Sequence, residues 1–594
     1  MTNSFAALRS HFTRVSWAWL FIAFAAMLAV LPLMLHGCSC GHDFDFHLQN
    51  WLEASGQWKA GIFKPVWDFS AAWKAGEPRL LFYPPISWMT GGLLTLLLPF
   101  KAVPVAFTWL SLFLSGLTMR RLLRPDMGDM AATLGGCIYL ANPYMLFVAY
   151  ERTAYGELLA AAWMPLLFAA LLRPHASTRA ALWRVAVPVA LLWLTNAPAA
   201  VVGSYSMLAM GVVRMVQLRW GHRRMMVRYA LTMATGYALG LLAASIYLVP
   251  AVYQRESVQS AMAVIEGLRP WESFLFQHTA DAGHDRVLAQ ASRIAVRMLL
   301  SAALTAVVVW LRMRTEEKAL FAAMTPRERR ERRQVSAYAV LLPMAVFTAM
   351  VLLLLLPVSR HVWMRAPELV FLQFPWRFLV AESVAACVLL MLALRPDRWT
   401  RVRRAVPLAA GLVLIALSTM TGEHFYRQVC EAGDTPKGLI AATTSRDGTP
   451  PTDEYTPTIA DNDALGHPTP DAWLGASAEA PPGVILDRVE VTHRAPDDFR
   501  ITTPQRQGSF LIVRLRKYRG WHVVKDGVEL EGTPQRADGL YAIPLLTMGP
   551  HEVAVHYRKT ADQWIGGAMS AFGWFVLLCM AAFGWWMKRS LRED

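Results

Sequence analysis

Long apolar runs, each near the length of a bilayer crossing and separated by arginine clusters, recur through this chain and leave it few folds to choose from. The first, 16–35, supplies about 20 residues, enough to span a hydrocarbon core of about 30 Å. Others lie near 102–119, 130–150, 158–172, 185–194, 197–215, 229–252, 294–311, 337–357, 378–394, 406–421 and 564–587. Inside a bilayer every backbone polar group must find an internal partner, so such runs are helices. A content of 55% hydrophobic and 17% charged residues agrees, being outside the range of soluble domains. The expected architecture is a polytopic α-helical membrane protein with about twelve to thirteen transmembrane helices.

The net charge of +15 is spread over clusters that flank these runs: Arg120, Arg121 and Arg124, then 219–228, 327–333, 395–404, and Lys588 with Arg589. Placing alternate helix ends in the cytoplasm puts every cluster inside, the pattern of the positive-inside rule. A nucleic-acid-binding surface would gather its arginines on one soluble domain, so nucleic acid is not expected as a partner. The apolar run at the N-terminus is too long for a cleaved leader and is expected to stay as a first helix with its N-terminus cytoplasmic. The apolar stretch 83–100 would invert the arginines at 120–124 if it crossed. It is therefore expected as a short re-entrant or interfacial helix started by Pro84-Pro85. That parity brings the loops at Asp43 and at Glu151–Glu157 to the same, exported side. Around Thr195-Asn196-Ala197-Pro198 two short runs adjoin too closely for a loop, which predicts a broken helix or tight turn; Asn196 could serve a cavity or satisfy backbone freed by Pro198.

Domain bounds follow from composition: a transmembrane unit over 1–421, an exported region over 422–562 that is β-rich from about 484, and a last helix with a short cytoplasmic tail over 563–594. The β pattern rests on alternation at Val489 and Val491, at Leu511, Val513 and Leu515, and at Val553, Val555 and Tyr557. Asp526-Gly527 marks a hairpin. Cys137, Cys387 and Cys579 lie in apolar runs, whereas Cys38, Cys40 and Cys430 map to the exported side and allow one bridge, with either Cys38 or Cys40 pairing to Cys430.

Three clusters carry chemistry. Gly41-His42-Asp43-Phe44-Asp45-Phe46-His47-Leu48 sets two carboxylates and two imidazoles just beyond the first helix. Helical spacing from Asp43 aligns Asp43, His47 and Asn50 and turns Asp45 away. Asp43 and His47 are spaced for a divalent cation, Mg or Mn being the candidate cofactor, although two ligands alone do not define a metal site. The turn Tyr150-Glu151-Arg152-Thr153-Ala154-Tyr155-Gly156-Glu157 packs three charges between two crossings, with Glu157 lowest in the membrane, where ionisable groups are usually functional. Gln373-Phe374-Pro375-Trp376-Arg377-Phe378 places an arginine fork beside aromatic rings, a combination suited to a lipid phosphate or to headgroup anchoring. No phosphate-binding glycine loop, paired Cys-x-x-Cys or Gly-x-Ser-x-Gly elbow occurs.

Taken in order, these motifs together with Phe82-Tyr83-Pro84-Pro85-Ile86-Ser87, Tyr247-Leu248-Val249-Pro250-Ala251, Tyr518-Arg519-Gly520-Trp521 and Gly549-Pro550-His551-Glu552-Val553 resemble the GT-C superfamily of integral membrane glycosyltransferases. More narrowly, they resemble the bacterial membrane proteins called YfhO-like or 6-pyruvoyl-tetrahydropterin-synthase-related. The resemblance implies sugar transfer from a polyprenyl-phosphate donor to an extracytoplasmic acceptor, at the bacterial inner membrane, by a GT-C-like fold with a small exported C-terminal β-domain. It implies a base or metal-ligand role for Asp43, with Asp45 as rival, and a second acidic role for Glu157, with Glu151 as rival. His47 joins the catalytic set, while Arg152, Glu151, Tyr83, Arg377 and Gln373 form the substrate-binding set. A transporter or flippase for lipid-linked sugars, and a non-catalytic envelope assembly protein, are the alternatives.

Overall fold

The computed structural model describes residues 2–173, 178–219, 223–321, 338–394, 401–466, 469–479, 485–504 and 508–593. The basic cluster 327–333 and part of 395–404 lie outside the described residues. Among those described, eight helices are long and apolar enough to cross a membrane, or ten when each of two sharply bent pairs counts as one span. The expected count of twelve to thirteen is not reached on this criterion. The expected crossing at 185–194 is the helix Thr178–Thr195, which carries Arg179 and Arg184 in its first half and is not among the ten.

The helices α1 (Thr2–His36), α2 (Phe44–Lys59), α3 (Arg79–Phe82), α4 (Pro85–Leu97) and α5 (Val103–Leu140) open the chain. α5 is not one rod. At Gly128 the backbone takes φ 75°, ψ 178°, a conformation open to glycine, and the two halves fold back on each other. The halves touch where a Cβ on Gly136 would run into the carbonyl of Gly116, residues that a straight helix would hold about 30 Å apart. Small residues at this crossing let the backbones approach closely, the usual means of helix association in lipid. α4, at 13 residues, is about 20 Å long and too short to cross, as its expected interfacial or re-entrant character requires. A Cβ on Gly91 would strike the Trp51 ring, so α4 packs tightly beneath α2.

The C-terminal region begins its strands earlier than the composition suggested, at Ala472 rather than about 484. β1 (Ala472–Gly475), β2 (Ile485–Arg488), β5 (Ser509–Arg516) and β8 (Leu540–Leu545) form a sheet in the order β2-β1-β5-β8. β3 (Val491–Ala495), β4 (Asp498–Thr502), β6 (Trp521–Lys525), β7 (Val528–Glu529) and β9 (Glu552–Tyr557) form another in the order β3-β4-β9-β6-β7. The alternation at Val489 and Val491 straddles the step where the chain leaves one sheet for the other. Leu474, Leu511, Val513 and Ile543 of the first sheet meet Phe499, Ile501, Val523 and Val555 of the second in one core, so the sheets stack as a sandwich. The Asp526-Gly527 hairpin forms as expected, both residues having positive φ.

The sandwich is welded to the membrane unit. Trp67 from the loop after α2 enters its core, and Ala72 and Ala75 cover the outer face of the first sheet through Trp473, Ile512 and Ala542. Beneath, the fully buried Arg79 guanidinium donates to Glu77 at 2.7 Å, Gln49 at 3.1 Å and Thr452 at 2.7 Å, and lies 3.3 Å from Asp68. The Cys40–Cys430 disulfide ties the end of the α1 loop to the start of the distal region; Cys38 stays a thiol, its pKa pushed up to about 11 by burial.

Candidate active site

Asp43 is the residue that introduces α2, and its side chain makes no capping bond to the helix. Its carboxylate is thereby left to the guanidinium of Arg152, at 3.3 Å, while its own backbone N–H donates to the Arg152 carbonyl at 2.9 Å. The loop and the 148–153 turn therefore interlock. Gly41 explains how: a Cβ there would collide with the carbonyl of Glu151 and the hydroxyl of Thr153, so only glycine allows this approach. The turn closes with Thr153 at φ 47°, a left-handed conformation that a β-branched residue adopts only under constraint.

Arg152 bridges two acids. Its other terminal nitrogen donates to Glu157 at 2.6 Å, and the remaining Glu157 oxygen accepts from the Tyr144 hydroxyl at 2.5 Å. Arg377, on a 3-10 turn over Pro375–Phe378, reaches within 3.9 Å of the Glu157 oxygen that Arg152 holds. It donates to Gln373 at 3.2 Å, and Gln373, held at φ 62°, donates in turn to the Ala263 carbonyl at 3.0 Å. The Nε of Arg377 is buried and has no hydrogen-bond partner, a donor held ready in a desolvated place.

These groups surround one cavity of about 530 Å³. Of the residues expected to form the site, Asp43, His47, Tyr83, Arg152, Glu157, Gln373 and Arg377 all line it. Glu151 is not among the lining residues; its carboxylate lies 3.8 Å from His42. Asp45 is exposed and also outside the lining, as its helical phase predicted. Asn196 lines the cavity and accepts from the Ala199 N–H at 2.9 Å, so its backbone role is to cap the next helix and not to satisfy a carbonyl freed by Pro198.

His47 is buried edge-on to Tyr83 and Tyr155, with ring centroids 5.6 and 5.5 Å away. Burial pulls its pKa down to about 4, so at neutral pH the imidazole is uncharged. A divalent cation finds a poor match here: among the described residues no group of three His, Cys, Asp or Glu side chains converges. The donor set does not fit such an ion.

Sequence reasoning missed the cavity's far wall. Glu454 and Tyr455 come from the Thr-, Asp- and Pro-rich segment before the sandwich, and Tyr455 stacks on Phe46 and Phe82 at 6.2 and 6.3 Å. Burial raises the pKa of both. Arg255 adds a third guanidinium, laid over the Phe371 ring at 4.4 Å. Nothing local marked these residues; the one signal was an aromatic side chain in an otherwise polar loop.

No family model matches the chain, and no curated protein matches it. Similar solved structures include the arabinofuranosyltransferase AftD from mycobacteria, at TM-score 0.41 and 14% identity over 70% of this chain. The match spans 27% of that protein's length. ArnT from Cupriavidus metallidurans is similar at TM-score 0.29 and 15% identity in its form bound to undecaprenyl phosphate, over 73% of this chain and 89% of that one. Its apo form gives 0.26 and 16%, over 74% and 89%.

Proposed function

We propose that this protein is a membrane glycosyltransferase that moves a sugar from a polyprenyl phosphate to an acceptor outside the cytoplasm. The observation that carries the reading is the pairing, in one cavity, of a half-exposed carboxylate at Asp43 with a buried guanidinium at Arg377 whose Nε lacks a partner. Such a pair suits displacement at an anomeric carbon. Asp43 takes the proton of the acceptor hydroxyl as its oxygen bonds to the anomeric carbon. The bond from that carbon to the phosphate oxygen breaks, and its electron pair leaves with the lipid phosphate, whose growing charge Arg377 and Arg152 meet. Attack opposite to departure inverts the anomeric centre. His47, uncharged, shapes the cavity with Tyr83 and leaves the proton to Asp43. The motif order that resembles the GT-C superfamily supports the same reaction, as does the lack of any nucleotide-binding signature. The inner bacterial membrane, with the cavity on the exported side, is the setting this reading assigns. No step requires a metal ion.

A transporter of lipid-linked sugars is the second reading, favoured by helix pairs bent by 76° and 86°. One experiment separates the two. Lipid analysis of a deletion strain is expected to show an accumulated polyprenyl-phosphate sugar, cleared by the wild-type gene and not by Asp43→Asn. Clearance by both would leave the enzyme reading without its base.

A further inference from the structure

A second cavity is larger than the one that holds Asp43. A groove of about 1470 Å³ runs between α1, α5 and the helix Arg401–Tyr426. Its floor is apolar, formed by Val30, Leu33, Val105 and Trp109. Neighbouring apolar side chains on the same helices point away from the protein, with Met34, Leu417 and Met420 all more than half exposed. Since α1 and the helix ending at Tyr426 are both candidate spans, the groove opens sideways into the bilayer.

Its rim is charged. Lys101, His36, Glu423 and Arg427 stand together where the apolar floor ends. Glu423 is already engaged, paired with His36 and 3.6 Å from Arg427. Lys101 is exposed and, among the described residues, has no carboxylate partner. At neutral pH the rim thus presents two fixed cations against one committed anion, above an apolar slot at the end of a spanning helix. That is the polarity of a lipid with an anionic head.

The groove is separate from the reaction cavity, and no residue lines both. The partition is the loop from His36 to Asp43. Gly37 and Cys38 face the groove, the Ser39 hydroxyl donates to the Tyr150 carbonyl at 2.6 Å and accepts from the Gln428 N–H at 2.8 Å, and Asp43 ends the loop in the other cavity. We infer that the groove binds a bilayer phospholipid with an anionic headgroup, its head at Lys101 and Arg427 and an acyl chain along α1, bracing the loop that carries Asp43. This site stands whether or not the cavity transfers sugar.

The test uses the full chain in nanodiscs of equal phosphatidylglycerol and phosphatidylcholine with matched acyl chains, followed by gentle release and native mass spectrometry. Wild type should retain phosphatidylglycerol over phosphatidylcholine by about fivefold or more, the preference of one cationic side chain at an anionic surface. Lys101→Gln, an exposed change, should lower that preference by about fivefold with an unchanged melting temperature. Ala106→Trp, which fills the groove, should reduce retention of both lipids. Equal retention of the two lipids by wild type, or a preference untouched by Lys101→Gln, would overturn the site.

Discussion

Asp43 and Glu157 share one arginine yet live in different surroundings, and the contrast divides the labour of the site. The Asp43 side chain is 39% exposed and accepts one long bond from Arg152. Glu157 is 4% exposed, and each of its oxygens is occupied, by Arg152 and by Tyr144. A carboxylate so enclosed cannot turn to meet a substrate. It fixes Arg152 and faces Arg377, whereas Asp43 keeps lone pairs free toward the cavity. In the proposed reaction Glu157 is therefore a positioning residue and Asp43 the group placed to take a proton.

Neutralising the two acids should have unequal effects. Glu157→Gln leaves the buried Arg152 with half its compensation and should destabilise the protein by about 3–5 kcal/mol, read as a lowered thermal transition in detergent. Asp43→Asn should cost less, about 1 kcal/mol, because the carboxylate it removes is 39% exposed and Arg152 keeps its 2.6 Å bond to Glu157. Equal losses would mean that both acids are structural.

The loop of Asp43 should also respond to pH through His47. Its folded-state pKa of about 4 lies below the ordinary 6.5, so between those values the unfolded chain binds the proton and the folded one does not. Stability should rise with pH through that window and fall toward acid, by up to about 3 kcal/mol. His47→Gln should flatten this part of the profile in melts from pH 4 to 7. Glu53, raised by burial and then by Asp68, works in the opposite sense, so Glu53→Gln should stabilise most at alkaline pH.

Smaller effects probe the walls. Arg377→Lys loses the planar fork while keeping the charge and should lower turnover by about 10- to 100-fold, the worth of a charged hydrogen bond, without moving the melt. Tyr455→Leu removes the stack on Phe46 and Phe82 and should cost about 0.5–1.5 kcal/mol. If Tyr455→Leu outweighed Arg377→Lys in the transfer assay, the chemistry would belong to the sandwich side of the cavity.

Much of this was legible in the residue order because membrane burial imposes strong periodic signals. The apolar runs, the short Pro85–Leu97 helix and the Asp526-Gly527 hairpin all follow from local rules. Asp43 and Glu157 do line one cavity, but the count of crossings from which their meeting was expected is not reached. Three things escaped it. Glu151 and Glu157 look alike in sequence, and only the turn ending at Thr153 sends them to different sides. Tyr455 reaches the cavity through pairings 370-odd residues long, such as Arg79 with Thr452, that no local pattern encodes. The choice of Cys40 over Cys38 likewise depends on how the α1 loop lies against residues 427–430.

The proposed transfer requires a lipid phosphate between Arg152 and Arg377 in the cavity that Asp43 lines. A cryo-EM structure of the protein in nanodiscs with undecaprenyl phosphate tests it directly. Phosphate density within hydrogen-bonding distance of the Arg377 Nε is the predicted result. Phosphate density confined to the groove at Lys101, with the Arg377 cavity holding only water, would contradict it.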